Sequence, residues 1–119
     1  MSKTIKISVK VNTALEKSIS KWEAIVEGTK KDKGYENCAL CKMFCNDTQD
    51  ILDDCIGCPI YEDTGVINCN FKQYKDWRHT CLNTKKNGYG KVGDSYEAKL
   101  AAQDMLEYLL DLYWRCKVR

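Results

Sequence analysis

Six of the eight cysteines lie between Cys38 and Cys69, at spacings that suit metal binding. They include two C-x-x-C hooks, Cys38/Cys41 and Cys55/Cys58, which thirteen residues separate. A C-x-x-C turn can direct two thiolates at one ion, and two such turns can close a tetrahedron of four sulfurs around Zn²⁺. The separation is slightly shorter than is typical of double hooks, and the pattern still predicts a structural zinc.

The remaining cysteines leave the choice of four ligands open. Cys69 follows the second hook by eleven residues and can replace any one of the four. Cys45 lies four residues after Cys41, so that on a short helix both side chains would share one face. Cys81 and Cys116 fall on apolar helical faces, which is typical of small buried side chains rather than ligands.

Other chemistries compete with a structural zinc. An iron–sulfur cluster suits the Cys58-Pro59 step, but the C-x-x-C-x-x-C run of ferredoxins is absent from the sequence. A catalytic zinc of the deaminase type would need an H-x-E sequence, which is missing too. The single histidine, His79, can replace a thiolate or bind a phosphate, although a surface role is the simpler interpretation. Disulfides would require export to an oxidising compartment.

A second set of residues could bind an anion. Six bases and one acid lie between Lys72 and Lys91, directly after an acidic stretch. Backbone N–H groups at the start of the last helix, with lysines beside them, could hold a phosphate, and a tyrosine there could stack on a base. The G-x-G-x-x-G sequence at 88–93 lacks the preceding strand of a dinucleotide site. The candidate ligand-binding residues are Arg78, Lys85, Lys86, Tyr89 and Lys91.

Length and composition favour one domain over residues 1–119. The chain is 44% hydrophobic and 30% charged with a net charge of +2, which is typical of a globular protein and too weak to indicate nucleic acid. We distinguish residues 1–37, a cysteine-rich metal segment at 38–69, and a helical part at 70–119. No signal peptide or membrane span is visible in the sequence, so that we expect a cytoplasmic protein with reduced thiols.

Four predicted elements position these residues. Alternating apolar residues predict a strand over 4–11, paired with residues 65–69 or with a second copy. Thr13 and Glu16 then form a capping box for a helix that ends at Gly28 and whose Trp22, at helical spacing, we expect in the core. An exposed link follows over 29–37. A helix is predicted over 71–82 and a loop over 83–93. A last helix begins at Asp94 or Ser95 and reaches the basic C-terminus, with a buried seam of Ala98, Ala102, Met105, Leu109, Leu112 and Cys116.

The hook segment resembles a group of short, cysteine-rich, zinc-binding accessory proteins predicted from the genomes of tailed bacteriophages. The resemblance covers about a third of the chain, and its positions are Cys38-Ala-Leu-Cys41, Cys55-Ile-Gly-Cys58-Pro-Ile60, Thr64-Gly65, Cys69, Tyr74 and Trp77. It implies that Cys69 belongs with the hooks, that Cys45 is an addition, and that the protein acts in the cytoplasm of a bacterial host.

We therefore expect a small α+β domain stapled by zinc, with an N-terminal strand–helix unit and a long C-terminal helix. The sequence shows no nucleophile–base set. The expected function is non-enzymatic binding: a phage accessory or anti-defence protein that sequesters a nucleotide-like signal or blocks a host defence protein. A small zinc-containing regulator that binds nucleic acid is the alternative. The strongly apolar last helix also favours a homo-oligomer.

Overall fold

The computed structural model describes residues 4–33, 38–44, 57–66, 71–83, 90–92 and 96–118, with the backbone alone at 41, 42, 82, 83, 90 and 91. Helices dominate these ranges, and the strands are short, so that the expected α+β class is confirmed in its coarse form. The elements in chain order are β1 (Ile5–Ile7), α1 (Val9–Glu27), α2 (Ala39–Phe44), α3 (Pro59–Thr64), α4 (Lys72–Thr80), β2 (Leu82–Asn83), β3 (Gly90–Lys91), α5 (Tyr96–Arg115) and β4 (Cys116–Val118).

The N-terminal helix begins earlier than the sequence predicted. Strand β1 ends at Ile7, and Ser8 is the N-cap of α1, its hydroxyl accepting a hydrogen bond from the Val11 N–H at 3.2 Å. The predicted capping box is wrong, because Thr13 lies inside the helix and donates to the Val9 carbonyl. The apolar alternation predicted as a strand over 4–11 continues through Val9 and Val11 into the helix, so that it does not mark the boundary, whereas the cap at Ser8 does. The predicted end is confirmed: Gly28 adopts φ 83° as the C-cap.

The long helix α5 forms the centre of the core. All six residues of its predicted seam are buried, and α5 packs against both α1 and α4. Trp22 of α1 is also buried, as expected, and meets Trp77 of α4 edge-to-face with the ring centroids 5.3 Å apart. Aromatic contacts of this geometry stabilise a core beyond the area they bury. The three longest helices are thus joined through one apolar cluster.

Among the described residues, β1 pairs with the C-terminal strand. Strand β4 runs parallel to β1, with Ile5 opposite Cys116 and Ile7 opposite Val118. Gly65 instead ends α3 with φ 72°, and residues 67–70 lie outside the described residues. The last helix therefore stops at Arg115, because the next three residues satisfy the backbone groups of β1.

Two further predictions are corrected. The predicted loop over 83–93 contains β3, which pairs antiparallel with β2, while the predicted helix starts at Asp94 or Ser95 lie outside the described residues. The link after α1 is not uniformly exposed, since Asp32 is fully buried. None of the described helices combines the length and apolar character that a membrane span requires.

Candidate functional site

The two cysteine hooks are attached to two short helices. Cys38 directly precedes α2 and is half-buried, and the backbone of Cys41 lies within that helix. Cys58 is the N-cap of α3 and is only 6% exposed, while Pro59 occupies the first helical turn. Proline favours that position because its fixed φ suits a helix and its missing N–H is not needed there. The second hook therefore ends on a rigid element.

A close contact brings α2 to the second hook. Gly57, between the two cysteines of that hook, adopts φ +91°, and a Cβ added there would lie 3.1 Å from Cε1 of Phe44. Phe44 is the last residue of α2, three residues after Cys41. The helix that carries part of the first hook thus ends against the backbone of the second hook.

The predicted ligands are described only in part. Cys55 and Cys69 lie outside the described residues, as does the side chain of Cys41. Among the side chains that the structure describes, no group of three or more His, Cys, Asp or Glu could hold a metal ion. The zinc site drawn from Cys38, Cys41, Cys55, Cys58 and Cys69 therefore stays a prediction.

A charged network anchors α3 to the long helix. The carboxylate of Asp63 accepts two hydrogen bonds from the guanidinium of Arg115 and one of 2.7 Å from the Tyr108 hydroxyl. Burial raises the pKa of Tyr108, and the hydrogen bond to Asp63 raises it further. The same carboxylate, with Asp111, raises the pKa of Arg115. Asp63 belongs to the acidic stretch that precedes Lys72 in the sequence, and it fixes the helix that Cys58 caps to α5.

A second carboxylate, which the sequence analysis missed, ties the link after α1 to α4. Asp32 accepts hydrogen bonds from the Lys21 ammonium at 2.9 Å, the Tyr74 hydroxyl at 2.8 Å and the Trp77 indole N–H at 2.9 Å. Its side chain is completely buried, and that of Lys21 is 9% exposed. An isolated aspartate in a lysine-rich link gives no sequence signal of burial, because its partners lie up to 45 residues away.

The predicted anion-binding residues are not brought together by the described part of the chain. Arg78 is exposed in the last turn of α4, next to His79, which is also exposed. The backbone of Lys91 lies in β3. Lys85, Lys86 and Tyr89 lie outside the described residues, together with the side chain of Lys91. A binding surface built around this set stays a prediction.

A basic surface along α1 was not predicted. Lys10 and Lys17 line an open groove of about 540 Å³ between α1 and α2. Lys17 also borders a neighbouring groove with Lys30 and the buried Lys21. Lys10, Lys17 and Lys21 lie along one side of α1, whereas Lys30 lies beyond its end, and Glu16 also lines the second groove. The surface is next to the first cysteine hook, since Ala39 and Met43 of α2 form the other wall of the first groove.

The two cysteines assigned to the core are confirmed as buried. Cys81 ends α4 and Cys116 begins β4, so that both lie just beyond the helices on which they were predicted. Burial raises the pKa of both thiols. A buried thiol with a raised pKa is a poor nucleophile and a poor metal ligand.

No protein-family model matches the chain, and neither a curated protein nor a solved structure shows significant similarity to it.

Proposed function

We propose that this chain is a non-enzymatic binding protein whose fold is held together by a structural zinc ion. The ion would be bound by four thiolates drawn from Cys38, Cys41, Cys55, Cys58 and Cys69. A closed set of four thiolates leaves no position for a metal-bound water, so that the ion would stabilise the fold and take no part in hydrolysis.

The contact between Gly57 and the Phe44 ring is the observation that carries this proposal. It places the end of the helix that contains Cys41 against the hook that contains Cys58. This proximity supports the proposal, because a double-hook zinc site needs its two C-x-x-C hooks next to each other.

The lengths of the elements give zinc a physical role. Helices α2 and α3 have six residues each, which is too short for a helix to be stable alone in water. The described strands have two or three residues. An ion that joins both short helices would supply binding free energy that becomes folding free energy.

The ligand that we propose is anionic or carries an acidic surface. One candidate surface for this ligand would consist of Arg78, Lys85, Lys86, Tyr89 and Lys91. The exposed lysines along α1 support a basic surface on the described part of the chain as well. The resemblance to phage accessory proteins favours a component of host defence as the target, either a nucleotide-like molecule or a protein.

The zinc site is tested by native mass spectrometry of protein purified under reducing conditions. We expect one zinc ion per chain in the wild type and a loss of zinc in Cys58→Ser. Cys81→Ser is the matched control, because Cys81 is also buried but lies outside the hooks. A wild type without metal, or an equal loss of zinc from Cys81→Ser, would contradict the proposal. Zinc retained in Cys58→Ser would instead assign the four ligands to Cys38, Cys41, Cys55 and Cys69.

The binding function is tested with the same zinc-loaded protein. An additional mass of a few hundred daltons would identify a captured small molecule directly. Binding to single- and double-stranded oligonucleotides is then measured across a salt series. Affinity that falls steeply with salt would favour the nucleic-acid regulator, because each neutralised phosphate releases counterions. Capture of neither class by the wild type would leave a protein target as the remaining form of the proposal, tested by pull-down from host cells against Cys58→Ser.

A further inference from the structure

The side of α5 that faces away from the core carries a stripe of six residues. They recur at steps of 4, 3, 4, 3 and 4, which is the spacing of the contact positions of a coiled coil. Four of them are large and exposed: Trp114 by 76%, Tyr96 by 73%, Leu100 by 42% and Leu110 by 39%. We call this set the outer stripe: Tyr96, Leu100, Gln103, Glu107, Leu110 and Trp114.

The outer stripe reads the same from both ends. Its order is aromatic, leucine, polar, polar, leucine, aromatic, and the six positions are symmetric about Met105. In a twofold interface each contact of residue i with residue j of the second copy is repeated as j with i, so that a stripe of this order pairs residues of like character. We propose that two copies of this chain associate through an antiparallel pairing of their outer stripes, with the twofold axis between Gln103 and Glu107, at the level of Met105 along the helix.

Only one antiparallel register pairs every residue of the outer stripe with a residue of like character. With the axis at the level of Met105, Tyr96 meets Trp114 of the second copy, and Leu100 meets Leu110. The two central layers pair the Gln103 amide, which can donate a hydrogen bond, with the carboxylate of Glu107. A shift by one heptad in one direction would place Leu110 opposite Glu107 and Trp114 opposite Gln103. A shift in the other direction would place Leu100 opposite Gln103 and Tyr96 opposite Glu107. Polar central layers are known to fix register in this way.

The area available suits a weak, reversible dimer. Aromatic side chains of this size cover about 150–250 Å² each, so that the outer stripe offers roughly 500 Å² on each copy. A pair would bury on the order of 1,000 Å², the lower limit for a specific interface.

The two edges of the outer stripe differ in charge and predict an unusual salt dependence. In an antiparallel twofold pair, each edge meets the same edge of the second copy. At one edge, the half-buried Leu106 would meet Leu106 of the second copy. The other edge carries Glu97, Asp104 and Asp111, so that Asp104 would face Asp104. Because like charges repel across this edge, added salt should strengthen the association rather than weaken it.

The experiment is sedimentation velocity of the full-length protein as purified, in a concentration series up to about 100 µM. Leu110→Glu and Trp114→Glu each remove two contacts from a symmetric interface, and we expect either to weaken the dimer by at least about tenfold. Val9→Glu is the control, since Val9 is 65% exposed on α1 and outside the outer stripe. Circular dichroism confirms that each variant remains folded, and Trp114 is exposed enough to tolerate the change.

The register is tested separately with Asp104→Asn. Removal of one like-charge pair should tighten the dimer by about twofold and reduce its dependence on salt. A wild type that stays monomeric throughout the series would overturn the proposal. The same holds if Val9→Glu weakens the dimer as much as Leu110→Glu and Trp114→Glu do. A dimer whose affinity Asp104→Asn leaves unchanged would overturn the antiparallel register.

Discussion

Removal of the Asp32 carboxylate should destabilise the protein more than any other single charge removal that the described residues offer. In Asp32→Ala the Lys21 ammonium loses its 2.9 Å partner while 9% of that side chain is exposed. Tyr74 and Trp77 lose the acceptor of their hydrogen bonds at the same time. An uncompensated buried charge costs about 3–5 kcal/mol of unfolding free energy. For a domain of this size the melting temperature should fall by roughly 12–20 °C.

The assay is urea unfolding, followed by circular dichroism and by tryptophan fluorescence. Fluorescence is informative here because the Trp77 indole donates to Asp32 directly. Asp76→Ala is the matched control: Asp76 pairs with Lys72, whose side chain is 83% exposed, so that its loss should have no measurable effect. An Asp32→Ala protein within about 1 kcal/mol of the wild type would refute the reasoning.

A double variant separates charge from packing. Asp32→Asn with Lys21→Met removes both charges and keeps an oxygen acceptor for Tyr74 and Trp77. Because neither charge is then left unpaired, the double variant should recover a large part of the stability that Asp32→Ala loses. A double variant as unstable as Asp32→Ala would show that packing around Asp32, rather than the unpaired ammonium, sets the cost.

Three further perturbations test the surroundings of the hooks. Gly57→Ala and Gly65→Ala should each cost about 1 kcal/mol from their positive φ. Gly57→Ala alone should also lower zinc affinity, because its Cβ would displace the Phe44 ring at the end of α2. Equal zinc affinities of Gly57→Ala and Gly65→Ala, measured in competition with a chromogenic chelator, would contradict this. Wild-type stability should fall as pH rises above about 10, since the unfolded Tyr108 ionises there and the folded one does not. The urea midpoint of Tyr108→Phe should fall less steeply with rising pH than that of the wild type. An equal pH dependence in both proteins would contradict the role of the buried hydroxyl. Cys81 and Cys116 should resist alkylation at pH 8 until urea is added; peptide mapping that finds both labelled at once in native protein would disprove their protection.

The sequence predicted the local features well, because short-range periodicity determines them. The seam of α5 is buried at all six positions, and Gly28 ends α1 as its conformational freedom suggested. The core role of Trp22 followed from helical spacing in the same way. These features depend on residues three or four positions apart, which a single sequence displays directly.

The features that the sequence missed depend on distant residues. The pairing of Ile5 with Cys116 joins the two ends of the chain, and nothing in either three-residue strand specifies the other. Asp32 and Asp63 lie in stretches of ordinary surface composition, and their partners are 45 and 52 residues away. Of the candidate site, the sequence identified the hooks by their spacing, whereas the contact between Gly57 and Phe44 requires the folded arrangement of α2 and α3.

X-ray absorption at the zinc edge of the purified, reduced protein tests the central claim most directly. A structural site of four thiolates predicts a single shell of four sulfur atoms at about 2.3 Å from the metal. The same sample should lose helical circular dichroism when the zinc is removed by a chelator, because metal binding is coupled to folding. A shell of nitrogen and oxygen atoms at about 2.0–2.2 Å, or a protein that keeps its helices and contains no zinc, would contradict the account.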